Sequence, residues 1–230
     1  MGIFDRLLGR RADTPLEIQV YRRLKLKGFE PAGIVDVGAY EGNWTRLARN
    51  VFPDAPVLMV EAQAAKAAAL VAEFSLIDNV TIVNSLLSNR AGEEVIFYEM
   101  ESGSSILPEN SNVPRTERRL TSSTLDDVAA DLAGPLLLKI DTQGSELAIL
   151  SGGAATLARC EAVQLETALL PYNKDAPQIV ELLVQMRAWG FVPYDFAGFI
   201  RPNGSDLVQT DIVFVREASG FRTSEFRFDI

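Results

Sequence analysis

The sequence predicts an α/β domain built on a mostly parallel β-sheet. Two observations indicate this class: short apolar runs alternate with stretches of helical periodicity, and a glycine-containing turn follows the first apolar run. Strand, glycine turn and helix, in that order, form a ligand pocket at the carboxyl end of the first strand of an open sheet. The length of 230 residues suits a single such domain over residues 14–230, preceded by an extension over residues 1–13.

The charge balance and the residue types exclude several classes of function. The 31 acidic side chains outnumber the 22 basic ones and give a net charge of -9, which argues against binding to nucleic acid. Without any histidine, the chain cannot build a Ser-His-Asp triad or an ordinary histidine-ligated zinc site. Cys160 is the only cysteine, so an internal disulfide and a cysteine metal cluster are excluded, and a reducing, cytoplasmic setting fits best.

No stretch of the sequence is predicted to span a membrane, because no apolar run approaches about 18 residues. Residues 1–11 are amphipathic and basic, but they are too weakly apolar for a signal peptide. Two interpretations of this segment stay open. It either makes peripheral contact with a membrane surface, or it is a frayed terminus or a helix on the protein's own surface.

The N-terminal part of the domain begins with a helix, a strand and a second helix. Residues 14–28 show helical spacing, and Thr14 with Glu17 has the pattern of a capping box. The apolar run of residues 34–37 predicts the first strand, and residues 44–51 show the spacing of the helix that follows it.

The turn between this strand and the second helix is predicted to form the floor of a cofactor site. Asp36 lies inside the apolar run, and Gly38 and Gly42 follow it, so that backbone can approach a ligand without Cβ clashes. A second apolar strand, residues 56–60, ends in Glu61. A nucleoside-binding α/β fold places a carboxylate for the ribose hydroxyls at about this position.

The next elements continue the pattern of a parallel sheet with right-handed crossovers. Residues 62–74 are predicted to be helical, and residues 79–87 to form a third strand with Asn84 and Ser85 at its polar end.

An insertion is predicted near residues 93–123. It begins with an additional strand and goes on as a long polar segment, residues 101–123, which is either a lid or acceptor-binding segment or a disordered one. Its basic side chains Arg115, Arg118 and Arg119 either bind a phosphate group of an acceptor or form a solvated basic loop.

Acidic residues mark the second informative part of the chain. Asp141 stands at the carboxyl end of a buried-type strand predicted for residues 136–140, so we expect it in the ligand crevice of the sheet. Glu146 falls in the first turn of the next helix, where acids are favoured in any case. Glu166 lies within a later apolar strand, where a carboxylate is costly unless it is paired or close to a site.

The C-terminal part predicts a helix over residues 177–189 and then an antiparallel pair of strands around Pro202-Asn203-Gly204. The aromatic tail, residues 220–230, is a candidate for a sheet edge or for the interface of a homodimer.

Several of these stretches resemble a known family. The stretch IVDVGAYEGNWT resembles the first motif of class I S-adenosylmethionine-dependent methyltransferases, whose pattern is acid-x-Gly-x-x-x-Gly. The stretches GSSIL, STLDD, LLLKIDTQGSELAILSGG and VQLET, in this order, are similar to the FkbM family of these enzymes. The resemblance covers nearly the whole chain, and the third stretch, in its place after STLDD, is its most specific part.

The resemblance implies a Rossmann-like class I methyltransferase fold, with a mostly parallel seven-stranded sheet and a C-terminal antiparallel hairpin. It also implies S-adenosylmethionine as the cofactor. The reaction it implies is methyl transfer to a hydroxyl oxygen of a sugar, glycolipid or polyketide, so the acceptor would be a small molecule or a glycan or lipid-linked molecule.

The resemblance also implies roles for individual residues. The methionine and ribose parts of the cofactor would be surrounded by Asp36, Gly38, Ala39, Tyr40 and Gly42. Glu61 would hold the ribose hydroxyls, and Asn84 and Ser85 would border the adenine. Asp141 would sit beside the methyl group, with Gln143, Glu146 and Glu166 on the acceptor side. The pair Tyr40-Glu41 departs from the family pattern, which has a small or amide residue followed by an aliphatic one.

The catalytic base, in the absence of histidine, is expected to be a carboxylate. Asp141 and Glu166 are the first candidates, and Glu146 or Lys139 follow. No ligand spacing demands a metal, although a carboxylate-bound Mg²⁺ that assists hydroxyl deprotonation stays an alternative.

Two other functions compete with methyl transfer. A nicotinamide-dependent oxidoreductase shares the strand, turn and helix, but its G-x-G-x-x-G fingerprint is absent because Ala39-Tyr40-Glu41 separates the two glycines. A catalytically silent methyltransferase fold, acting as a binding or scaffold subunit, is the other alternative.

Overall fold

The structure, a computed structural model, describes residues 14–223 and 225. The predicted extension over residues 1–13, with its proposed membrane contact, lies outside the described residues, as does most of the aromatic tail. Within residues 14–223 and 225, no helix combines the length and the apolar character needed to cross a bilayer.

The secondary structure alternates strands and helices along most of the chain. In chain order, the strands are β1 (Gly33–Val37), β2 (Val57–Glu61), β3 (Val80–Asn84), β4 (Leu86–Leu87), β5 (Glu94–Glu99), β6 (Thr116–Ser123), β7 (Leu136–Ile140), β8 (Cys160–Ala168), β9 (Phe191–Ile200) and β10 (Gln209–Arg216). The helices are α1 (Leu16–Leu26), α2 (Asn43–Arg49), α3 (Ala64–Phe74), α4 (Leu125–Val128), α5 (Glu146–Ser151), α6 (Ala154–Arg159) and α7 (Ile179–Ala188).

The predicted sheet is confirmed. Seven strands pair in the order β3-β2-β1-β7-β8-β10-β9, with β10 antiparallel to both β8 and β9 and the others parallel. The strands β1, β2 and β7 are buried along their whole length, because helices cover both faces of a parallel sheet.

Two hydrophobic clusters fill the space on the two faces of the sheet. On one face, Val20 and Leu24 of α1 pack in the same cluster as Ile34 of β1. On the other face, Leu182 of α7 packs in the same cluster as Val35 of β1. Neighbouring residues of β1 therefore serve opposite layers, as the alternation of side chains along a strand requires.

The predicted third strand, residues 79–87, is divided in the structure. β3 ends at Asn84, and Leu86 and Leu87 leave the large sheet to form β4, which pairs with β6 in a three-stranded sheet of order β4-β6-β5. Both leucines are buried there. The run was therefore not one strand, because its two halves pair in two different sheets.

The polar segment over residues 101–123 was wrongly predicted to be a loop in its second half. Residues 116–123 form β6, which pairs antiparallel with β5. Arg118 and Arg119 make ion pairs with Glu99 and Glu94 of β5, at 2.9 and 2.5 Å. Cross-strand pairs of opposite charge stabilise a sheet whose residues are too polar for the apolar pattern of a strand.

The helix ends follow the predicted capping signals only in part. The expected capping box of Thr14 and Glu17 is wrong, because α1 begins after Pro15 without a side-chain cap. By contrast, Thr124 and Asp127 form a complete capping box at α4. The helix α6 was not predicted from the sequence.

Asp126 of α4 caps the distant helix α6, which lacks a capping side chain of its own. Its carboxylate accepts hydrogen bonds from the backbone N–H groups of Ala155 and Thr156, at 3.0 and 2.7 Å. Burial alone would raise the pKa of Asp126, but these hydrogen bonds outweigh it and lower the pKa below its ordinary value.

We expect the substitution Asp126→Ala to lower the free energy of unfolding by about 1 kcal/mol, the usual cost of a lost N-cap. Urea denaturation at neutral pH measures this, with the exposed Asp131→Ala as a matched control that should stay close to the parent protein. Because the folded carboxyl has the lowered pKa, its contribution should vanish as the pH falls through that pKa. Equal stability of parent and Asp126→Ala at neutral pH would contradict the capping role.

Candidate active site

A cavity of about 350 Å³ opens at the carboxyl ends of the central strands β1, β2, β7 and β8. This is the edge at which open α/β sheets bind ligands. The wall also includes the segment of residues 101–106, which we call the lid segment. The residues that line the cavity include Gly38, Tyr40, Glu61, Gln63, Ser85, Glu101, Ser105, Asp141, Gln143, Glu166, Ile200 and Gln209.

The glycine turn after β1 is needed for two different close contacts. Gly38 has φ of 75°, and a Cβ on it would lie 2.0 Å from the backbone oxygen of Asp141, so only glycine lets the ends of β1 and β7 meet. Gly42 has φ of 72°, and a Cβ on it would lie 2.8 Å from the ring of Phe74. Gly38 lines the cavity, whereas Gly42 packs the turn against α3.

Glu61 is fixed at the end of β2 by backbone donors. Its carboxylate accepts hydrogen bonds from the N–H groups of Tyr40 and Gln63, both at 2.8 Å. Burial raises the pKa of Glu61, and these two hydrogen bonds oppose that shift without cancelling it. The carboxylate therefore faces the cavity in a fixed position.

The buried ammonium group of Lys139 connects β1 and β7, which are neighbours in the sheet. Lys139 of β7 lies 3.3 Å from Asp36 of β1 and 3.5 Å from Asp141, and its Nζ donates to the backbone oxygen of Gly38 at 3.2 Å. The hydroxyl of Thr45 donates to the other carboxylate oxygen of Asp36, at 2.7 Å. Burial alone would lower the pKa of Lys139, but the two carboxylates outweigh it and raise the pKa above its ordinary value.

A second polar network surrounds Glu166 of β8. The side-chain amide of Gln143 donates to Asp141 at 3.0 Å and to Glu166 at 2.5 Å, and so bridges the two carboxyl groups. The amide of Gln209 donates to the other oxygen of Glu166, at 2.6 Å. Burial and the neighbouring Asp141 raise the pKa of Glu166 well above its ordinary value. Burial alone would raise the pKa of Asp141, but the positive charge of Lys139 outweighs this effect and lowers the pKa.

Glu146 has a different role from the other carboxylates. It is buried and accepts hydrogen bonds from the backbone N–H groups of Thr142 and Gly144, at 3.0 and 3.1 Å, and from the hydroxyl of Thr142. Burial raises its pKa. Glu146 does not line the cavity. It holds the turn that presents Asp141 and Gln143.

The lid segment is attached to the opposite wall at several points. The hydroxyl of Tyr40 donates to Glu101 at 2.9 Å, and Lys66 forms an ion pair with Glu101 at 3.0 Å while its Nζ lies 4.0 Å from the centre of the Tyr40 ring. The amide of Gln63 donates to the backbone oxygen of Glu101, and the hydroxyl of Ser105 donates to that of Gln143, at 3.0 and 2.9 Å.

Three residues of the cavity wall have left-handed backbone without being glycine. They are Tyr40, Glu101 and Gln143, with φ of 48°, 53° and 57°. Such conformations are unfavourable for ordinary residues, and in proteins they cluster at functional sites. The contacts of Tyr40 with Glu101 and Lys66, which attach the lid segment, also hold Tyr40 in this conformation.

The structure brings some of the predicted site residues into the cavity wall and leaves others outside it. The predicted residues that line the cavity are Gly38, Tyr40, Glu61, Ser85, Asp141, Gln143 and Glu166. The predicted residues that do not line it are Asp36, Ala39, Gly42, Asn84, Lys139 and Glu146. Asn84 instead donates its side-chain amide to the backbone oxygens of Glu61 and Ala62, at 2.8 and 3.1 Å.

Several wall residues were missed at the sequence level. Gln63 and Gln209 carry no local signal, because their contacts in the wall are with Glu101 and Glu166, which are distant in the sequence. The lid residues Gly103 to Ile106 belong to the stretch GSSIL and to the polar segment for which a lid was one of the predicted interpretations, but none of them was assigned an individual role.

The arginines of the insertion are occupied elsewhere. Arg115 donates to the backbone oxygens of Glu109 and Ser111, and Arg118 and Arg119 pair with β5, so none of the three lines the cavity. In the described part of the chain, no group of three or more Asp, Glu or Cys side chains is arranged to hold a metal ion.

Comparisons with known proteins agree with this architecture. A family model described as the methyltransferase FkbM domain matches residues 36–193. No curated protein matches the chain in sequence. The precorrin-6y C5,15-methyltransferase of Geobacter metallireducens is similar in structure, with a TM-score of 0.50 and 12% identity over 86% of this chain and 87% of that protein. The similarity confirms the Rossmann-like class I methyltransferase fold predicted from the sequence.

Two further solved structures have lower scores. The 1,6-didemethyltoxoflavin-N1-methyltransferase of Burkholderia thailandensis, which contains bound S-adenosylhomocysteine, has a TM-score of 0.49 and 14% identity over 89% of this chain and 79% of that one. The magnesium protoporphyrin IX methyltransferase of Synechocystis, with bound SAM, has a TM-score of 0.48 and 11% identity over 87% of this chain and 77% of that one.

We expect the substitution Lys139→Met to lower the free energy of unfolding by about 3 kcal/mol, because it leaves the fully buried Asp36 without its counter-charge. Chemical denaturation measures the loss, and the exposed Lys174→Met is the matched control. Adding Asp36→Asn to Lys139→Met should recover part of the loss, since the unpaired charge is then removed. A Lys139→Met protein as stable as the control would contradict the structural role of the ion pair.

Proposed function

Because the chain belongs to the FkbM methyltransferase family, we propose that it is an S-adenosylmethionine-dependent methyltransferase that methylates a hydroxyl oxygen. The observation that carries the proposal is the distribution of carboxylates around one cavity. Glu61 lies at the end of β2, and Asp141 and Glu166 lie at the ends of β7 and β8. Separate carboxylates are thus available for the cofactor's ribose and for the reacting groups.

The chemistry of the wall fits the cofactor. The charged residues that line the cavity, among those the structure describes, are acids: Glu61, Glu101, Asp141 and Glu166. An acidic, partly enclosed cavity favours a ligand that carries a positive sulfonium group, since opposite charges attract more strongly away from bulk water. The volume of about 350 Å³ lies within the range of small-molecule and cofactor sites.

We assign the cofactor contacts to residues of the wall. Glu61 would accept the ribose hydroxyls, because two backbone N–H groups already orient its carboxylate. Gly38 and Tyr40 would border the methionine part, and Ser85 the adenine. The predicted residues Asp36, Ala39, Gly42 and Asn84 would act indirectly, by shaping the ends of β1 and β2.

The cofactor supplies an electrophilic methyl group, which passes in line to the acceptor oxygen as the S–C bond breaks, the O–C bond forms and the hydroxyl proton leaves. Asp141 would face the sulfonium, and the Asp141 and Glu166 pair would accept the proton. Lys139 is not a base in this proposal, because its neighbours keep it charged. Glu146 would position the turn, and the lid segment would exclude water.

The acceptor in this proposal is a neutral small molecule or a glycan or lipid-linked molecule with a free hydroxyl group. The absence of arginine and lysine from the described cavity wall disfavours a phosphate group next to the reacting oxygen. The net charge of -9 disfavours a nucleic acid. The cytoplasmic setting and the homodimer stay predictions.

Three measurements separate the alternatives. Calorimetry with S-adenosylmethionine distinguishes the methyltransferase from a nicotinamide-dependent oxidoreductase, and the fluorescence of bound NADH would favour the latter. A protein that binds the cofactor but transfers no labelled methyl group to any of a broad set of glycan and lipid-linked acceptors would favour the catalytically silent binding subunit.

We expect Glu61→Ala to weaken the binding of S-adenosylmethionine about 10- to 100-fold, the usual effect of losing hydrogen bonds to a charged group. Isothermal titration calorimetry measures the dissociation constant, with Glu117→Ala, an exposed glutamate of β6, as the matched control. Unchanged affinity of a folded Glu61→Ala protein would show that the ribose is held elsewhere.

We expect Asp141→Asn to lower the rate of methyl transfer by at least about 100-fold, because it removes part of the proton acceptor. The change in cofactor affinity should be smaller. Transfer of labelled methyl to an acceptor found by the screen measures the rate, and Asp78→Asn at an exposed turn is the control. A rate equal to that of the parent protein would exclude Asp141 from the reaction.

A further inference from the structure

We propose that Asp141 and Glu166 share one proton, which the protein releases to solvent when it binds the positively charged S-adenosylmethionine and retains when it binds the uncharged sulfur of S-adenosylhomocysteine. The inference rests on the proposed function. The positive charge of the bound cofactor thereby deprotonates the pair, which is then able to act as the base. The vacated carboxylate pair can then accept the hydroxyl proton, and it holds that proton again when the product is bound.

The geometry of the bridge carries the proposal. One amide group, the Nε2 of Gln143, lies 3.0 Å from Oδ1 of Asp141 and 2.5 Å from Oε2 of Glu166, and all three side chains line the cavity. Two carboxyl groups joined through one donor are close enough for the charge of one to oppose ionisation of the other. Such a pair gives up its protons in two separate steps.

Hydrogen bonds to both of its oxygens hold the Glu166 side chain in this contact. Its other oxygen, Oε1, accepts a hydrogen bond from the amide of Gln209 at 2.6 Å, and the hydroxyl of Tyr172 lies 3.5 Å from Oε2. The amide of Gln209 also donates to the hydroxyl of Tyr172, at 2.5 Å. Glu166 is only 6% exposed, so little water competes with these partners.

The surroundings decide how many protons the pair holds. Lys139 is the cation that faces Asp141, but it is shared with Asp36, which is fully buried. The other titratable groups that act on the pair, Glu146, Asp211 and Tyr172, are acids. Lys139 therefore supports one negative charge on Asp141, whereas Glu166 has amide and hydroxyl donors but no ion pair among the described residues to support a second. The raised pKa of Glu166 and the lowered pKa of Asp141 agree with one retained proton.

A sulfonium group in the cavity supplies the missing counter-charge. An opposite charge within about 4–6 Å of a carboxyl group favours its ionised form by roughly 10- to 1,000-fold. Both members of the pair line the cavity, so a cation bound there faces them directly. S-adenosylhomocysteine has the same adenosine and amino acid groups but no charge on sulfur. The difference between the two ligands therefore isolates the effect of the sulfonium.

Titration calorimetry in two buffers with different enthalpies of ionisation tests the proposal without any methyl acceptor. We expect about one more proton to be released per S-adenosylmethionine bound than per S-adenosylhomocysteine near neutral pH. The affinity for S-adenosylmethionine should accordingly rise by up to about tenfold for each unit of pH relative to that for S-adenosylhomocysteine.

Two variants identify the source of the proton. Glu166→Gln keeps the shape of the side chain but cannot ionise, so the difference in proton release between the two ligands should disappear. Subtracting the titration of this variant also removes the protons exchanged by the ligand's own amino group. Asp211→Asn is the matched control, because burial and Asp141 raise the pKa of Asp211 to about 7 and make it the rival source. The difference should persist in Asp211→Asn.

Equal proton release with the two ligands would overturn the proposal, as would a difference that persists in Glu166→Gln or that disappears in Asp211→Asn. These outcomes leave the proposed function untouched, because both ligands bind in each of them. No binding of S-adenosylmethionine at millimolar concentration would instead contradict the proposed function itself.

Discussion

The buried ion pair between Lys139 and Asp36 is the interaction on which the site depends. Asp36 is fully buried inside β1, where an unpaired carboxylate would be strongly destabilising, and Lys139 of β7 is its counter-charge. The same ammonium reaches Asp141 and the backbone oxygen of Gly38. One cation thus joins the carboxyl ends of two parallel strands and directs the carboxylate that follows β7 toward the cavity.

The carboxylates of the site are chemically alike, and their surroundings separate their roles. Glu61 is oriented by two backbone donors, and Asp141 is kept ionised by Lys139. Glu146 accepts hydrogen bonds from the backbone of the turn that it stabilises. Glu166 is buried near Asp141 and accepts hydrogen bonds from two side-chain amides. One site thus holds an oriented carboxylate at Glu61, a carboxyl group of lowered pKa at Asp141 and one of raised pKa at Glu166.

The sequence predicted the fold better than the boundaries of the site. Buried parallel strands have continuous apolar runs, so β1, β2 and β7 were evident, and the charges within them marked Asp36, Lys139 and Asp141. β6 was missed because its residues, TERRLTSS, have no apolar run, although the strand pairs with both β5 and β4. Gln209 and Gln63 were missed because their partners, Glu166 and Glu101, are distant in the sequence, and no local pattern encodes those contacts.

We propose that Glu61 binds the ribose of the cofactor and that the Asp141 and Glu166 pair lies beside its sulfur. A crystal structure of the protein soaked with S-adenosylhomocysteine tests this most directly. We expect the ribose hydroxyls within hydrogen-bond distance of the Glu61 carboxylate and the sulfur on the side of the cavity formed by Asp141 and Glu166. A ribose bound away from Glu61, or a sulfur turned away from the pair, would contradict the claim.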